Sequence, residues 1–329
     1  MLTLSICIPS YNRFERLKKT IFNILKCKSD DFEIVVVDNC SSSDISKVIN
    51  VEDKRLKIIK RDKPVDGTTN VNTCIMYGKG KYSLLLLDKD IIIGDKLSEF
   101  IETLNRNDVF GGYCVINSNA NNEEIYTENA LEKFGFLSKH PSGNFYKMDM
   151  LKNYVNQKKE KILLNPFGFD IWLTYCAQLG NMLLYDRPLI KSSLSKIDKN
   201  DKKSFTYSVK NDNIYYFPKN RIEQFMMYFE CLFSYKIGRL RKIKNVFKLY
   251  YRTLGQISIQ YKSIMADEKV CSHYGHATKH VTMKEINENI FRLRKKFLKE
   301  KNSGMKYNEK FIVILISELL VKLYMILKL

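Results

Sequence analysis

The amino-acid sequence predicts an α/β fold in its first part and a mostly helical region after it. Short apolar runs alternate with helix-like stretches over the first 120 residues, a pattern typical of strands joined by crossover helices. The runs are apolar at nearly every position, as in a parallel sheet covered on both faces. From about residue 218 the spacing of apolar residues becomes helical. We therefore expect a mostly parallel, twisted sheet, followed by a helical region.

The elements can be predicted in chain order. The strand-like runs are Leu2–Ile8, Glu33–Asp38, Leu56–Lys60, Tyr82–Asp88 and Val109–Ile116. A first helix is predicted over Phe14–Lys26, and a short helix over Asp170–Leu179 ends at Gly180. Residues 191–213 are polar and rich in lysine, which indicates a linker or loop. These elements predict two domains, over residues 1–213 and 214–329.

Length and composition are those of a globular protein. The 329 residues suit one large domain or two modest ones. Gly and Pro together make up about 6% of the chain, which argues against a disordered or fibrous protein. The eight cysteines form no CxxC pair, and the first residues lack the basic start of a secretory signal. We therefore expect a reducing, cytoplasmic location.

The positive charge is concentrated in the last two fifths of the chain. The net charge is +19, and residues 191–329 hold 29 Lys and Arg against 12 Asp and Glu. Such a basic region points to an anionic membrane, a nucleic acid or an acidic substrate, and charge alone does not choose among them.

Two C-terminal segments bear on that choice. Apolar residues from Ile237 to Leu254 recur at helical steps, with Lys and Arg between them. They predict either a core-facing stripe or an amphipathic helix on a membrane surface. The run Phe311–Leu329 is apolar but carries Glu318 and Lys322 in its middle, which is costly in hydrocarbon. We expect it to lie in a membrane interface or to pack on protein, including a second copy, rather than to span.

The first predicted strand does not lead into a dinucleotide or P-loop motif. A Gly-rich turn would be needed there to bind a pyrophosphate, and the chain has Pro9-Ser10-Tyr11-Asn12-Arg13 instead. Asp88-Lys89-Asp90 follows four leucines, Leu84–Leu87, so two carboxylates emerge where a buried strand ends. Their oxygens are ligands that Mg²⁺ or Mn²⁺ prefers, although a solvated turn would have the same pattern.

The order of these motifs strongly resembles the family 2 glycosyltransferases of the GT-A fold. The resemblance covers about residues 3–190 and includes the segments ending at Arg13 and Asp38, then Gly67, Asn72, Gly80 and Asp88-Lys89-Asp90. It implies a nucleotide-sugar donor, Mn²⁺ or Mg²⁺, and transfer to a glycan hydroxyl with inversion at the anomeric carbon. With the basic C-terminal region, it implies a lipid-linked acceptor at the inner face of the cell membrane, as in capsule or lipopolysaccharide assembly.

The resemblance also implies roles for single residues. Pro9, Tyr11 and Asn12 would line the nucleotide pocket, Asp38 would hold the base, Asp88 would contact the ribose or the metal, and Asp90 the metal. Asp170 would be the general base, and its aromatic neighbours should raise its pKa toward a useful value. Asn72 belongs to the donor side, but Val71 stands where family members often have Arg, so Arg13 or Lys79 would meet the phosphates. His140 and Ser142 fall where an acceptor-side loop is expected.

Three other interpretations were weighed. A nucleotidyltransferase would share a related sheet and a metal, but no Gly-rich phosphate loop follows the first strand. A nucleic-acid-binding protein could use the basic region, although nucleic acid is not the expected partner. The segment with Cys271, His273, His276 and His280 could bind zinc, but no second ligand cluster exists in the sequence, so a polar loop is expected there.

Overall fold

The computed structural model describes residues 2–135, 140–158, 163, 165–192, 216–234, 238–273, 275–300 and 304–328. The chain divides into two compact units. The first consists of residues 1–164 and 168–204, and the second of residues 165–167 and 205–329. Most of the predicted linker at 191–213, and with it the predicted domain boundary, lies outside the described residues.

The first unit alternates strands and helices, as the sequence predicts. Its strands are β1 (Leu4–Ser10), β2 (Phe32–Asp38), β3 (Leu56–Lys60), β4 (Tyr82–Leu85), β5 (Ile91–Ile92), β6 (Gly111–Ile116), β7 (Asn122–Tyr126), β8 (Asn144–Lys147) and β9 (Met182–Lys191). Its helices are α1 (Phe14–Leu25), α2 (Ile45–Ile49), α3 (Gly67–Cys74), α4 (Gly94–Arg106), α5 (Ala130–Phe134), α6 (Met148–Lys158) and α7 (Gly168–Leu179).

The described strands form one sheet in the order β3-β2-β1-β4-β8-β6-β9-β5, and β7 pairs with β9. The first four strands of this order are parallel to one another. Strand β8 is antiparallel to both β4 and β6, so β6 and β9 run in the same direction as β1. Strands β5 and β7 are antiparallel to β9. The sheet is therefore mixed, with six strands in one direction and three short ones opposed.

Burial explains why these runs form strands. Every residue of β1 and β2 is buried, as expected for strands with helices on both faces. Helix α1 packs against the sheet through Leu17, Ile21 and Ile24. The predicted strand Tyr82–Asp88 was too long, because the chain leaves the sheet after Leu85. The backbone N–H of Asp90 then bonds the carbonyl of Leu87, which turns the chain at the two aspartates.

The described part of the second unit is helical. Its helices are α8 (Pro218–Ser234), α9 (Arg239–Gly255), α10 (Tyr261–Ala266), α11 (Glu268–His273), α12 (Met283–Lys299) and α13 (Tyr307–Lys328), with a π-helical turn at Gln256–Gln260. Phe225, Phe229, Tyr250 and Phe297 pack ring against ring in its core. Tyr250 and Leu254 of the predicted stripe are buried, whereas Leu240 is exposed in the first turn of α9. Among the described helices, none combines the length and the apolar character needed to cross a membrane.

Candidate active site

The loops that follow β1 and β2 meet at the carboxyl edge of the sheet. Asn12 adopts a left-handed backbone conformation with φ of 53°, and its Oδ1 accepts a hydrogen bond from the backbone N–H of Ser42 at 2.8 Å. Asp38, at the end of β2, is buried and accepts from the backbone N–H of Ser41 at 2.9 Å. Asn12 therefore joins the two loops that the sequence assigns to the nucleotide, and Asp38 supports the loop after β2.

Asp88 is held by the last residue of β1 and by a residue of the loop that follows it. The Ser10 hydroxyl donates to Oδ2 at 3.0 Å, and Nη1 of Arg13 lies 2.8 Å from Oδ1. Asp88 is only 2% exposed, so the guanidinium compensates a carboxylate that has little water around it. The sequence offered Arg13 or Lys79 for the phosphates. In the structure Arg13 pairs with Asp88, and its role toward the phosphates stays a prediction.

Asp90 is buried among hydroxyl groups from distant parts of the chain. Ser142, which precedes β8, donates to Oδ2, and Ser192, which follows β9, donates to Oδ1 at 2.7 Å. Nδ1 of His140 lies 3.7 Å from Oδ2. Burial lowers the pKa of His140, so its imidazole is neutral at pH 7. Nothing in the sequence indicated the Ser192 contact.

Glycine is required at the turn that carries Ser142. Gly143 has φ of +95°, and a Cβ built there would lie 2.4 Å from the carbonyl oxygen of Cys114. The turn packs this closely because the backbone N–H of Cys114 bonds the carbonyl of Gly143. Ser142 is wholly buried, and its Oγ also accepts from the backbone N–H of Leu87 at 2.9 Å. Its hydroxyl thus connects the β8 turn to the turn that carries Asp90.

Asp170 lies in the first turn of α7 and is 1% exposed. The start of this helix is fixed by neighbours on two sides. The Tyr146 hydroxyl donates to the carbonyl of Phe169 at 2.8 Å. Asn72 donates to the carbonyl of Leu163 at 2.9 Å, and a Cβ at Gly168 would lie 2.6 Å from its Nδ2. Asn72 therefore supports the backbone that presents Asp170, and its role toward a donor stays a prediction.

Tyr113 of β6 is a further residue that the charges of Asp90 and Asp170 influence, and the sequence did not indicate it. Burial, with smaller contributions from the charges of Asp90 and Asp170, raises the pKa of its phenol to about 12. Both carboxylates thus act electrostatically on one side chain, which keeps its proton at neutral pH. A lone tyrosine inside a predicted strand carries no signal that would have identified it.

The roles predicted for Pro9 and Tyr11 stay predictions. Pro9 pairs with Val37 in the sheet and is buried, and Tyr11 is half-buried in the next loop. In the second unit, His276 packs near the Phe217 ring and His280 is exposed. Within the part of the chain that the structure describes, no cluster of three His, Cys, Asp or Glu residues could hold a metal ion. The zinc alternative therefore gains no support there.

The carboxylates of Asp88 and Asp90 nevertheless suit a divalent cation whose other ligands come from a substrate. Each oxygen of Asp90 accepts one hydroxyl, and a carboxylate oxygen has two acceptor sites, so capacity remains for a further ligand. Mg²⁺ is commonly bound by one or two carboxylates together with substrate phosphates rather than by a cage of side chains. Asp90, with Asp88 two residues before it, offers one or two carboxylates of this kind.

Comparison with known proteins identifies the family. Residues 5–165 match the model of glycosyl transferase family 2. The chain is 30% identical over 120 residues to the Escherichia coli UDP-Glc:alpha-D-GlcNAc-diphosphoundecaprenol beta-1,3-glucosyltransferase WfgD, covering 35% of this chain and 47% of that one. It is 29% identical over 198 residues to the Campylobacter jejuni GalNAc(5)-diNAcBac-PP-undecaprenol beta-1,3-glucosyltransferase, covering 51% and 64%. The alignments span about half to two thirds of these relatives.

Solved structures show the same fold. Staphylococcus aureus TarS 1–349 in complex with UDP-GlcNAc matches with a TM-score of 0.59 at 12% identity, over 89% of this chain and 83% of that one. The mannosyltransferase PcManGT from Pyrobaculum calidifontis, in complex with GDP-Man and Mn²⁺, matches with a TM-score of 0.52 at 10% identity, over 96% and 86%. Residues 5–165 therefore belong to the family 2 glycosyltransferases, and the chain has the GT-A fold that its motif order predicts.

Proposed function

We propose that this protein is an inverting glycosyltransferase that moves a sugar from a nucleoside-diphosphate donor to a hydroxyl of a lipid-linked glycan during cell-surface polysaccharide synthesis. One observation carries the proposal: in a chain that matches the glycosyl transferase family 2 model, the carboxylates of Asp90 and Asp170 are both buried, and two hydroxyl groups orient that of Asp90. Two such carboxylates suit a reaction in which one handles the donor diphosphate and the other a proton.

Asp170 is the general base of the proposed reaction. Its carboxylate takes the proton of the acceptor hydroxyl while that oxygen attacks the anomeric carbon. The bond from the sugar to the diphosphate breaks as the new glycosidic bond forms, so a single displacement inverts the configuration. The packing of Asn72 and Tyr146 around the start of α7 holds Asp170 in place for this step.

The loops after β1 and β2 bind the nucleotide in this proposal. Asp38 receives the base, and Pro9, Tyr11 and Asn12 form the wall of the pocket. A bound Mn²⁺ or Mg²⁺ would neutralise the diphosphate as it leaves. Asp90 would hold that cation with Asp88, and Ser142 and Ser192 orient the Asp90 carboxylate. Two similar structures support a nucleotide and a cation as ligands, because the TarS complex contains UDP-GlcNAc and the PcManGT complex contains GDP-Man and Mn²⁺.

The proposed acceptor, a lipid-linked glycan, follows from the acceptors of two similar proteins. Two curated relatives are named for acceptors linked to undecaprenol through diphosphate. An acceptor of that kind stays in the membrane, so an enzyme acting on it works at the inner membrane surface. His140 is half-buried beside Asp90 and remains the residue proposed for acceptor contact. Ser142 is buried, so we assign it to positioning Asp90 instead.

The test is a screen of nucleotide-sugars with Mn²⁺ or Mg²⁺ against a lipid-linked acceptor that ends in a free sugar hydroxyl. Thermal stabilisation first selects the donor, because a ligand that binds only the folded state raises its stability. NMR of the product then gives the anomeric configuration, and inversion is expected. A retained configuration, or nucleotide transfer in place of sugar transfer, would contradict the proposal.

A further inference from the structure

Helix α13 presents polar groups to the protein and apolar groups to solvent. Its buried face includes Lys310, Ser317 and Glu318 beside Val313, Ile314 and Val321. Its exposed side chains between residues 311 and 324 are eight apolar or aromatic residues and Lys322. A helix on the surface of a soluble protein normally shows the opposite arrangement.

The inner polar groups fix the rotation of α13 about its axis. Glu318 forms a bidentate ion pair with Arg294 of α12, in which Nε of Arg294 lies 3.0 Å from Oε1 of Glu318. Lys310 donates to the carbonyl of Glu300, and its Nζ lies 5.7 Å from the centroid of the Phe297 ring. Turning the apolar side inward would break these contacts and leave Arg294 without its carboxylate partner. The exposure of the apolar side is therefore built into the packing of the second unit.

The exposed residues form one continuous stripe, which we call the outer stripe. Steps of 100° per residue place them on the half of the helix opposite the buried face. Each of the eight is 40–58% exposed, and together they cover a length of about 20 Å at 1.5 Å per residue. The outer stripe consists of Phe311, Ile312, Leu315, Ile316, Leu319, Leu320, Leu323 and Tyr324. A continuous apolar surface of this kind marks a docking site.

The charge of the C-terminal region favours an anionic partner for the outer stripe. Residues 214–329 hold 23 Lys and Arg against 9 Asp and Glu, and the exposed side of α13 from 311 to 324 carries Lys322 and no acidic residue. A groove of about 290 Å³ beside the stripe, between α12 and α13, is lined mostly by apolar residues, together with Arg294, Lys322 and Glu318. Because Glu318 pairs with Arg294, Lys322 supplies the net positive charge of this lining. A second copy of this chain would bring the same positive charge, whereas an anionic lipid surface offers the opposite charge and an apolar interior.

We propose that the outer stripe of α13 inserts into the surface of an anionic lipid bilayer, with the helix lying in the plane of the membrane. Leu, Ile and Phe side chains enter the boundary between headgroups and acyl chains, and the surrounding Lys and Arg residues face the lipid phosphates. The helix remains attached to its bundle through Glu318 and Lys310. The membrane contact of α13 rests on the proposed function in one respect. Its purpose is to keep the enzyme beside a lipid-linked acceptor.

Vesicle binding tests the proposal. The full-length protein is mixed with phosphatidylcholine vesicles, with or without phosphatidylglycerol, at low and high salt. The double variant Leu315→Glu/Leu319→Glu places two carboxylates in the outer stripe. Phe22→Glu/Ile125→Glu is the matched control, because both residues are exposed apolar positions of the first unit. We expect binding that requires phosphatidylglycerol and weakens with salt, a loss of at least about tenfold in the stripe variant, and no loss in the control.

Two further measurements keep the outcomes separate. Donor binding and the thermal unfolding transition should be unchanged in the stripe variant, which shows that it folds. Turnover on a water-soluble acceptor should also be unchanged, so failure of membrane binding is distinguishable from failure of the proposed transfer reaction. The proposal is overturned if the full-length protein binds no vesicles at low salt, or if the stripe variant binds as well as the parent. It is also overturned if the variant only dissociates an oligomer, because the stripe would then cover a second copy.

Discussion

Arg13 and Asp88 form an ion pair at the carboxyl edge of the sheet, with Nη1 2.8 Å from Oδ1. Asp88 is 2% exposed, while the Arg13 side chain is 20% exposed. The pair connects the loop after β1 to the turn after β4, which are the two segments assigned to the donor. Because its charge is already engaged by Asp88, Arg13 offers less net charge to a diphosphate than the sequence suggested.

Arg13→Ala should therefore destabilise the protein more than a surface substitution does. Removing the guanidinium leaves Asp88 buried without its cation, and we expect a loss of about 2 kcal/mol, since one partner is partly solvated. Urea unfolding measures it. In the Asp88→Asn background the same substitution should cost much less, because no buried charge remains. Equal costs in both backgrounds would show that the ion pair does not account for the loss.

Asp90→Asn should remove the effect of the divalent cation on donor binding. The amide keeps the size of the side chain but supplies one neutral oxygen in place of a carboxylate, which a hard cation binds poorly. Calorimetry with the nucleoside diphosphate that the donor screen selects, with and without Mn²⁺, measures the difference. Asp30→Asn is the control, because Asp30 is an exposed residue that pairs with Lys54 ahead of β2. Undiminished Mn²⁺-dependent affinity in Asp90→Asn would remove Asp90 from the metal site.

Tyr113→Phe should lower turnover by at least about tenfold without unfolding the protein. The phenol keeps its proton at neutral pH, so it can donate a hydrogen bond to a charged group, and losing such a bond costs about 1.5–3 kcal/mol. Steady-state kinetics with the selected donor measures the change. Tyr77→Phe, at an exposed tyrosine, should have no effect. Turnover equal to that of the parent would show that Tyr113 only fills space.

The same substitution should change how stability depends on alkaline pH. The folded state holds the pKa of Tyr113 at about 12, whereas an unfolded tyrosine titrates near 10. Between these values the unfolded state binds fewer protons, so the free energy of unfolding falls as pH rises above about 10. Tyr113→Phe removes this contribution, so its stability should fall less steeply than that of the parent. Urea unfolding at pH 9 and pH 11 compares the two slopes.

The sequence was sufficient for the parts of the site that depend on local pattern. Asp38 and Asp88 could be found because the carboxyl ends of parallel strands meet at one edge of a sheet, and buried strands are recognisable from their composition. The hydroxyl partners of Asp90 could not be found, because Ser142 and Ser192 lie 52 and 102 residues away in the chain. Strand β8, which positions Ser142, has only four residues and is too short to show a period.

The sequence also did not predict which face of α13 is buried. Composition identified Phe311–Leu329 as apolar, but not which side would face the protein. The choice depends on partners from other helices, since Arg294 of α12 draws Glu318 inward. A hydrophobic pattern alone would have placed Leu315 and Leu319 in the core and Glu318 at the surface, whereas both leucines are more than half exposed and Glu318 is buried.

Gly143→Ala should destabilise the first unit and disturb Asp90. At φ of +95° an added Cβ is strained, and it would lie 2.4 Å from the Cys114 carbonyl. We expect a loss of at least about 2 kcal/mol in the free energy of unfolding, together with weaker Mn²⁺-dependent donor binding. Gly255→Ala is the control, because nothing lies within 4 Å of its added Cβ and alanine favours a helix. Equal stability of the two variants would contradict the prediction.

Asp170→Asn should separate catalysis from binding. The amide cannot accept the acceptor proton, so we expect turnover to fall by at least about a hundredfold, the usual scale for the loss of a general base. Donor affinity should stay within a few-fold of the parent, because Asp38 and the β1 loop that bind the nucleotide are unchanged. Asp149→Asn provides the control, since Asp149 is an exposed aspartate that also lies in the first turn of a helix, α6. If the Asp170→Asn variant turns over nearly as fast as the parent, another group removes the proton.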